Sequence, residues 1–146
     1  MNISSPVTDP VTPLAAAPAI LVAANLLLPP LERGQSVNTA VLRSAMETAF
    51  GASDASGAWD WKLAYEAGEV ATVLFLRKYG KALFRKAGSP VSRLDALTKI
   101  AGLLPTQTRR SEESQSFQQF STPLPLGLAA LAAAAITPDD VVLEPS

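Results

Sequence analysis

Residues 59–87 read WDWKLAYEAGEVATVLFLRKYGKALFRKA. This is the longest helical pattern in the chain, and it sets the fold class as mainly α. Leu63, Ala67, Val70, Ala71, Leu74 and Phe75 share one helical face, while Glu66, Glu69, Arg77, Lys78 and Lys81 lie mainly off it. Gly80 offers a break into two helices, and Gly88-Ser89-Pro90 ends the run. Trp59, Trp61, Tyr65 and Tyr79 suit packing against neighbouring helices better than base stacking.

The flanking segments extend the pattern. Upstream, residues 51–58, GASDASGA, form a turn-rich connection. Before it, Ser36 is placed as an N-cap for a helix carrying Val37, Ala40, Val41, Leu42, Ala45, Met46 and Ala49, which Gly51 ends. Residues 14–28 suit a short apolar helix stopped by Pro29-Pro30. Residues 1–13 hold three prolines with Ser, Thr and Asp and read as a poorly ordered leader. Downstream, Ser92 opens a helix through Leu94, Leu97, Ile100, Ala101, Leu103 and Leu104, stopped by Pro105. Residues 106–119, TQTRRSEESQSFQQ, read as a loop or a short exposed helix.

Composition narrows the chemistry. The chain has 146 residues, 48% hydrophobic and 17% charged, with a formal net charge of −1. That supports one modest core, and overall charge points to no nucleic-acid partner. There is no Cys and no His. Disulfides, thiolate metal sites, thiol nucleophiles, the Ser-His-Asp triad and the usual zinc sites are therefore excluded. The apolar run Leu14 to Leu31 is interrupted by Pro18, Asn25 and Pro29-Pro30 and falls short of the roughly 20 clean residues a spanning helix needs. The residues before it carry no Lys or Arg, so a secretory signal is not expected. A soluble, cytoplasmic protein with no membrane partner is the expectation.

The final segment differs. Thr122 as N-cap and Pro123 at the first helical position open a helix through Leu126, Leu128 and Leu131 into Ala132 to Ala135. Thr137-Pro138-Asp139-Asp140 is a turn. Val141-Val142-Leu143, consecutive aliphatics bounded by turn residues, suits a strand buried on both faces of a parallel sheet. Nothing else in the chain offers a clear strand to pair with it, and a lone strand leaves its backbone groups unpaired. The expectation is a sequence that stops inside a larger α/β domain.

From Gln119 the chain reads QFSTPLPLGLAALAAAAITPDDVVLEPS. This resembles the opening of the catalytic domain of class I S-adenosylmethionine-dependent methyltransferases acting on adenine N6 in DNA. In that family Phe-x-Thr-Pro precedes a helix, and a turn then leads to a hydrophobic strand ending in Asp/Glu-Pro and a Gly-rich elbow. The resemblance implies that Phe120, Ser121, Thr122 and Pro123 lie against the methionine and sugar of S-adenosylmethionine. Glu144 would stand beside the cofactor at the end of the first strand. A helix N-terminus suits a carboxylate, and ligands of open parallel sheets bind outside the strand ends. The family's glycines after the strand and its Asn/Asp-Pro-Pro-Tyr/Phe segment are absent. No residue takes a catalytic or metal-binding role, and this chain alone is expected to be inactive and to bind the cofactor weakly or not at all.

The resemblance extends upstream. LERGQSVNTAVLRSAMETAFGASDASGAWDWKLAYEAGEVATVLFLRKYG and LLPTQTRRSEESQSFQQFSTP are similar to the N-terminal region of bacterial strawberry-notch-like proteins. These join a DNA methylase-like domain to a superfamily 2 helicase-like ATPase; no Gly-Lys-Thr phosphate loop occurs here. The implied organisation is a leader at 1–30, a helical module at 31–118 and, at 119–146, the first helix and first strand of a truncated Rossmann-like methyltransferase domain. The partners implied are DNA and the remainder of the parent chain.

From Arg77 to Arg110 there are nine Lys or Arg and one acid, Asp95. Arg77, Lys81 and Arg85 recur every four residues and form a stripe; with Arg109 and Arg110 they are candidates for DNA phosphate contact. A solvated face at a helix C-terminus explains the same residues. Glu112 and Glu113 suit ion pairs with Arg109 and Arg110. Two alternatives therefore remain, a non-catalytic helical DNA-binding module and an interaction module docking through Leu74, Phe75, Leu103 and Leu104.

Overall fold

The computed structural model describes residues 13–105, 122–137 and 139–143. Among them are five α-helices: α1 (Pro13–Glu32), α2 (Thr39–Phe50), α3 (Trp61–Ala87), α4 (Pro90–Ala101) and α5 (Leu124–Ala133), with a 3-10 turn at Asp54–Ser56. The mainly helical class holds. Residues 1–12 of the leader expected to be poorly ordered at 1–13, and the whole of the expected loop at 106–119, lie outside the described residues.

The N-terminal helix runs further than expected. α1 continues through Pro29 and Pro30 to Glu32. A proline inside a helix costs about 3 kcal/mol through its missing N–H and its clash with the preceding turn. Ala23, Ala24, Leu27 and Leu31 are all at most 1% exposed, and burying one leucine returns about 1.5–3 kcal/mol. Stopping the helix at residue 28 would forfeit Leu31. The chain then turns at Gly34, whose φ of +66° is the left-handed conformation glycine supplies cheaply, and Pro30 O accepts from Gln35 N at 2.9 Å.

α1 packs chiefly on α3 and also on α2. The buried residues of α3 include Ala64, Tyr65, Ala67, Gly68, Ala71 and Thr72. Leu63, Val70, Leu74 and Phe75 lie only partly buried around them. The buried residues of α3 are thus mostly small, with the larger apolar residues at their margin, and Gly68 among them faces Leu104. Gly80 does not divide α3, which is one helix of 27 residues. With ordinary φ and no conflicting contact, a single glycine costs too little to break a helix held by tertiary packing.

Local caps fix the helix ends. Asn38, not Ser36, caps α2, its side chain accepting from Val41 N at 3.0 Å, and Gly51 ends it at φ 68°. Asp60 accepts from Leu63 N at 2.8 Å and opens α3. Trp59, 3% exposed, donates its indole N–H to Ala52 O at 2.8 Å and so closes the connection between α2 and α3. Ser89 caps α4, with Pro90 in the first turn. Val37 N donates to Leu103 O at 2.7 Å, tying the start of α2 to the end of α4.

The C-terminal segment departs from the Rossmann-like expectation. Val141, Val142 and Leu143 form no strand and are 100%, 61% and 84% exposed. A strand is defined by its partners, and no strand exists among the described residues to supply them. The turn before it does form: Asp140 accepts from Thr137 N at 2.7 Å and from Thr137 Oγ1 at 2.9 Å. These two bonds hold the Asp140 carboxyl below the usual carboxylate range.

Candidate functional site

α5 lies against α4, and together with the second half of α3 they leave an open cavity of about 460 Å3. Its walls are apolar. α3 contributes Leu76, Gly80 and Phe84, α4 contributes Leu97, and α5 contributes Leu124, Gly127, Leu128 and Leu131. Leu97 is 2% exposed and belongs to the core. Leu124, Leu128 and Leu131 fall at i, i+4 and i+7, so one face of α5 forms a whole wall. A β-carbon placed on Gly127 meets nothing within 4 Å, so that stretch of the wall is open space.

One cation stands on the rim. Lys81 lines the cavity and is exposed. Arg77 and Arg85, one turn to either side, are exposed too, and the stripe spans roughly 12 Å along α3. None of the three forms an ion pair among the described residues. Lys78 is different. It donates to Glu32 at 2.7 Å, and Tyr79 donates to the same oxygen at 3.0 Å. On α4, the Arg93 guanidinium lies 5.8 Å from the centre of the Phe84 ring.

The residues read as cofactor-lining are only partly described. Thr122 is exposed and touches the cavity, and Pro123 is exposed beside it. Phe120, Ser121 and Glu144 lie outside the described residues, as do Arg109, Arg110, Glu112 and Glu113. Thr122 does not cap α5: Pro123 precedes the helix with ψ 135° and no side-chain cap bond forms. Pro125 in the first turn lacks the N–H that a cap would have satisfied there. Leu74, Phe75, Leu103 and Leu104, read as a docking face, instead pack against the core. The sequence reading missed the cavity, whose walls come from three separated segments; the signal available was Gly127 in the middle of a ten-residue apolar helix.

No helix among the described residues is long and apolar enough to cross a membrane. Comparison with protein-family models, with curated proteins and with solved structures gave no match.

Proposed function

We propose that this chain is the N-terminal part of an S-adenosylmethionine-dependent DNA adenine-N6 methyltransferase linked to a helicase-like ATPase. In this reading residues 119–146 form one wall of the methyl-donor site, with Phe120 to Pro123 against the cofactor and Glu144 at the end of the first strand. The protein is cytoplasmic and its partner is DNA. The chain alone transfers no methyl group, because it lacks the segment that would hold the target amine.

The observation that carries the reading is the exposure of Val141, Val142 and Leu143 behind a turn locked by Asp140. Burying each of these side chains between neighbouring strands is worth about 1.5–3 kcal/mol. The segment is therefore driven to become a strand wherever a sheet is offered. Thr122 and Pro123, exposed at the start of α5, leave that helix end accessible to a ligand. Titration calorimetry with S-adenosylmethionine tests the reading, on this chain and on one extended past Ser146. Binding in the extended chain alone supports it, and no binding in either overturns it.

A second reading, a helical module that binds without catalysis, is favoured by the stripe Arg77, Lys81 and Arg85, which forms no ion pair among the described residues and lies beside an apolar cavity. If the stripe grips DNA, affinity falls steeply with salt; a slope near zero excludes phosphate neutralisation.

A further inference from the structure

We propose that the cavity between α3, α4 and α5 is a docking groove for one amphipathic helix of a partner protein, its apolar face flanked by acidic side chains. The groove shares Thr122 and α5 with the proposed methyl-donor wall but does not rest on that reading. The groove offers a second helix what such a helix needs: apolar walls, a floor at Leu97 and open space along Gly127. A volume of about 460 Å3 accommodates several large side chains, matching the i, i+3 or i+4, i+7 anchors of helix-in-groove recognition.

The glycines sharpen this. Gly80 and Gly127 face the cavity from different walls, and each weakens its own helix relative to alanine. At Gly127, where an added β-carbon meets nothing within 4 Å, this leaves room for a backbone to approach closely, whereas Gly80 is buried against Leu76.

Charge selects the occupant. Between Arg77 and Lys99 there are seven Lys or Arg and one acid, Asp95. Lys81 stands on the groove rim with Arg77 and Arg85 above and below it, all exposed. A row of cations over roughly 12 Å matches carboxylates repeated along about two turns of a helix. A small amphiphile, with one head group, would use one of the three. Duplex DNA would use the stripe but gain nothing from the apolar trench.

The test pans a displayed library of random peptides of about 16 residues, some four helical turns, on the full chain, then measures the recovered peptides by fluorescence anisotropy. The expected peptides carry apolar residues at helical spacing with flanking Asp or Glu. Gly127→Leu fills the groove from open space, and Lys81→Glu reverses the rim charge at an exposed site. Each is expected to weaken binding about tenfold or more while the circular dichroism spectrum and melting temperature persist. Should Gly127→Leu disturb folding, Lys81→Glu alone decides. The proposal is overturned if no peptides are recovered, if those recovered lack the acidic amphipathic pattern, or if both variants bind them unchanged. It is overturned equally if the stripe binds duplex DNA and Gly127→Leu makes no difference to any ligand.

Discussion

The Lys78 ammonium lies 2.7 Å from the Glu32 carboxylate and joins the last turn of α1 to the middle of α3 across 46 residues of sequence. Tyr79 donates to the same oxygen. These two donors hold the Glu32 carboxyl below its ordinary value of 4.5, with the Lys78 charge adding to the effect. A depressed carboxylate contributes stability that is present above its unfolded value and lost as pH falls through its folded value. The variant Glu32→Gln is therefore expected to flatten the decline of stability below about pH 4.5. Urea unfolding at several pH values checks this; an acid limb as steep as the parent's contradicts it. Because the pair is exposed, the effect is small and shrinks in salt.

Glu66 runs the other way. Burial raises its carboxyl, reinforced by the Glu69 and Asp60 charges and opposed by Lys62. A raised carboxylate destabilises the fold while ionised, and the loss is relieved as pH falls through its folded value. Thus Glu66→Gln should raise the melting temperature at neutral pH. The gain should narrow as the pH approaches the ordinary value of 4.5. A constant gain at every pH would assign the effect to packing instead.

Trp59 closes the connection between α2 and α3 by burial and by its bond to Ala52 O. Replacement by alanine removes both, and a large aromatic truncated in a core costs about 3–5 kcal/mol. Replacement by phenylalanine keeps most of the volume and leaves the Ala52 carbonyl without its indole donor, a cost of about 1–3 kcal/mol. Denaturant midpoints of the two variants separate packing from hydrogen bonding. A phenylalanine variant as stable as the parent would mean the hydrogen bond contributes nothing, and equal losses would mean the packing does not.

The ends of α2 and α3 were legible because Gly51 and Gly88 are local signals, and a glycine C-cap at positive φ needs no information from elsewhere. The extent of α1 was not legible. Its residues are apolar on every side, so periodicity offers no contrast, and the double proline is a local stop that a tertiary gain at Leu31 overrides. Ser36 resembles a cap as well as Asn38 does; geometry selects the residue whose side chain reaches Val41 N. Within the candidate groove, Lys81 was visible as part of a periodic charge stripe. The apolar walls beside it were not, since they come from helices far apart in sequence.

Tyr65 is 6% exposed and its hydroxyl meets no hydrogen-bond partner among the described residues. An unsatisfied buried hydroxyl costs about 1–3 kcal/mol, so Tyr65→Phe is expected to leave stability unchanged or to raise it by about 1 kcal/mol. A loss above that size, read from denaturant midpoints, would show that the hydroxyl is satisfied in solution.

The exposed segment Val141–Leu143 distinguishes a strand in waiting from a strand already formed. In this chain no strand forms there, and the described Asp140 bond goes back to Thr137, not forward into a sheet. Its amides should therefore exchange with deuterium at rates near those of an unstructured peptide, while those of Ala64, Ala67 and Ala71 in α3 exchange slowly. Val142→Glu should leave the melting temperature of this chain within the range of an ordinary surface change, about 0.5 kcal/mol. In a chain extended past Ser146, the methyltransferase reading requires the opposite on both counts. The 141–143 amides become protected, and Val142→Glu becomes strongly destabilising because a charge is forced between the faces of a sheet. Fast exchange in the extended chain would leave the exposed aliphatics unexplained by any sheet and would remove the support they give to a methyl-donor site.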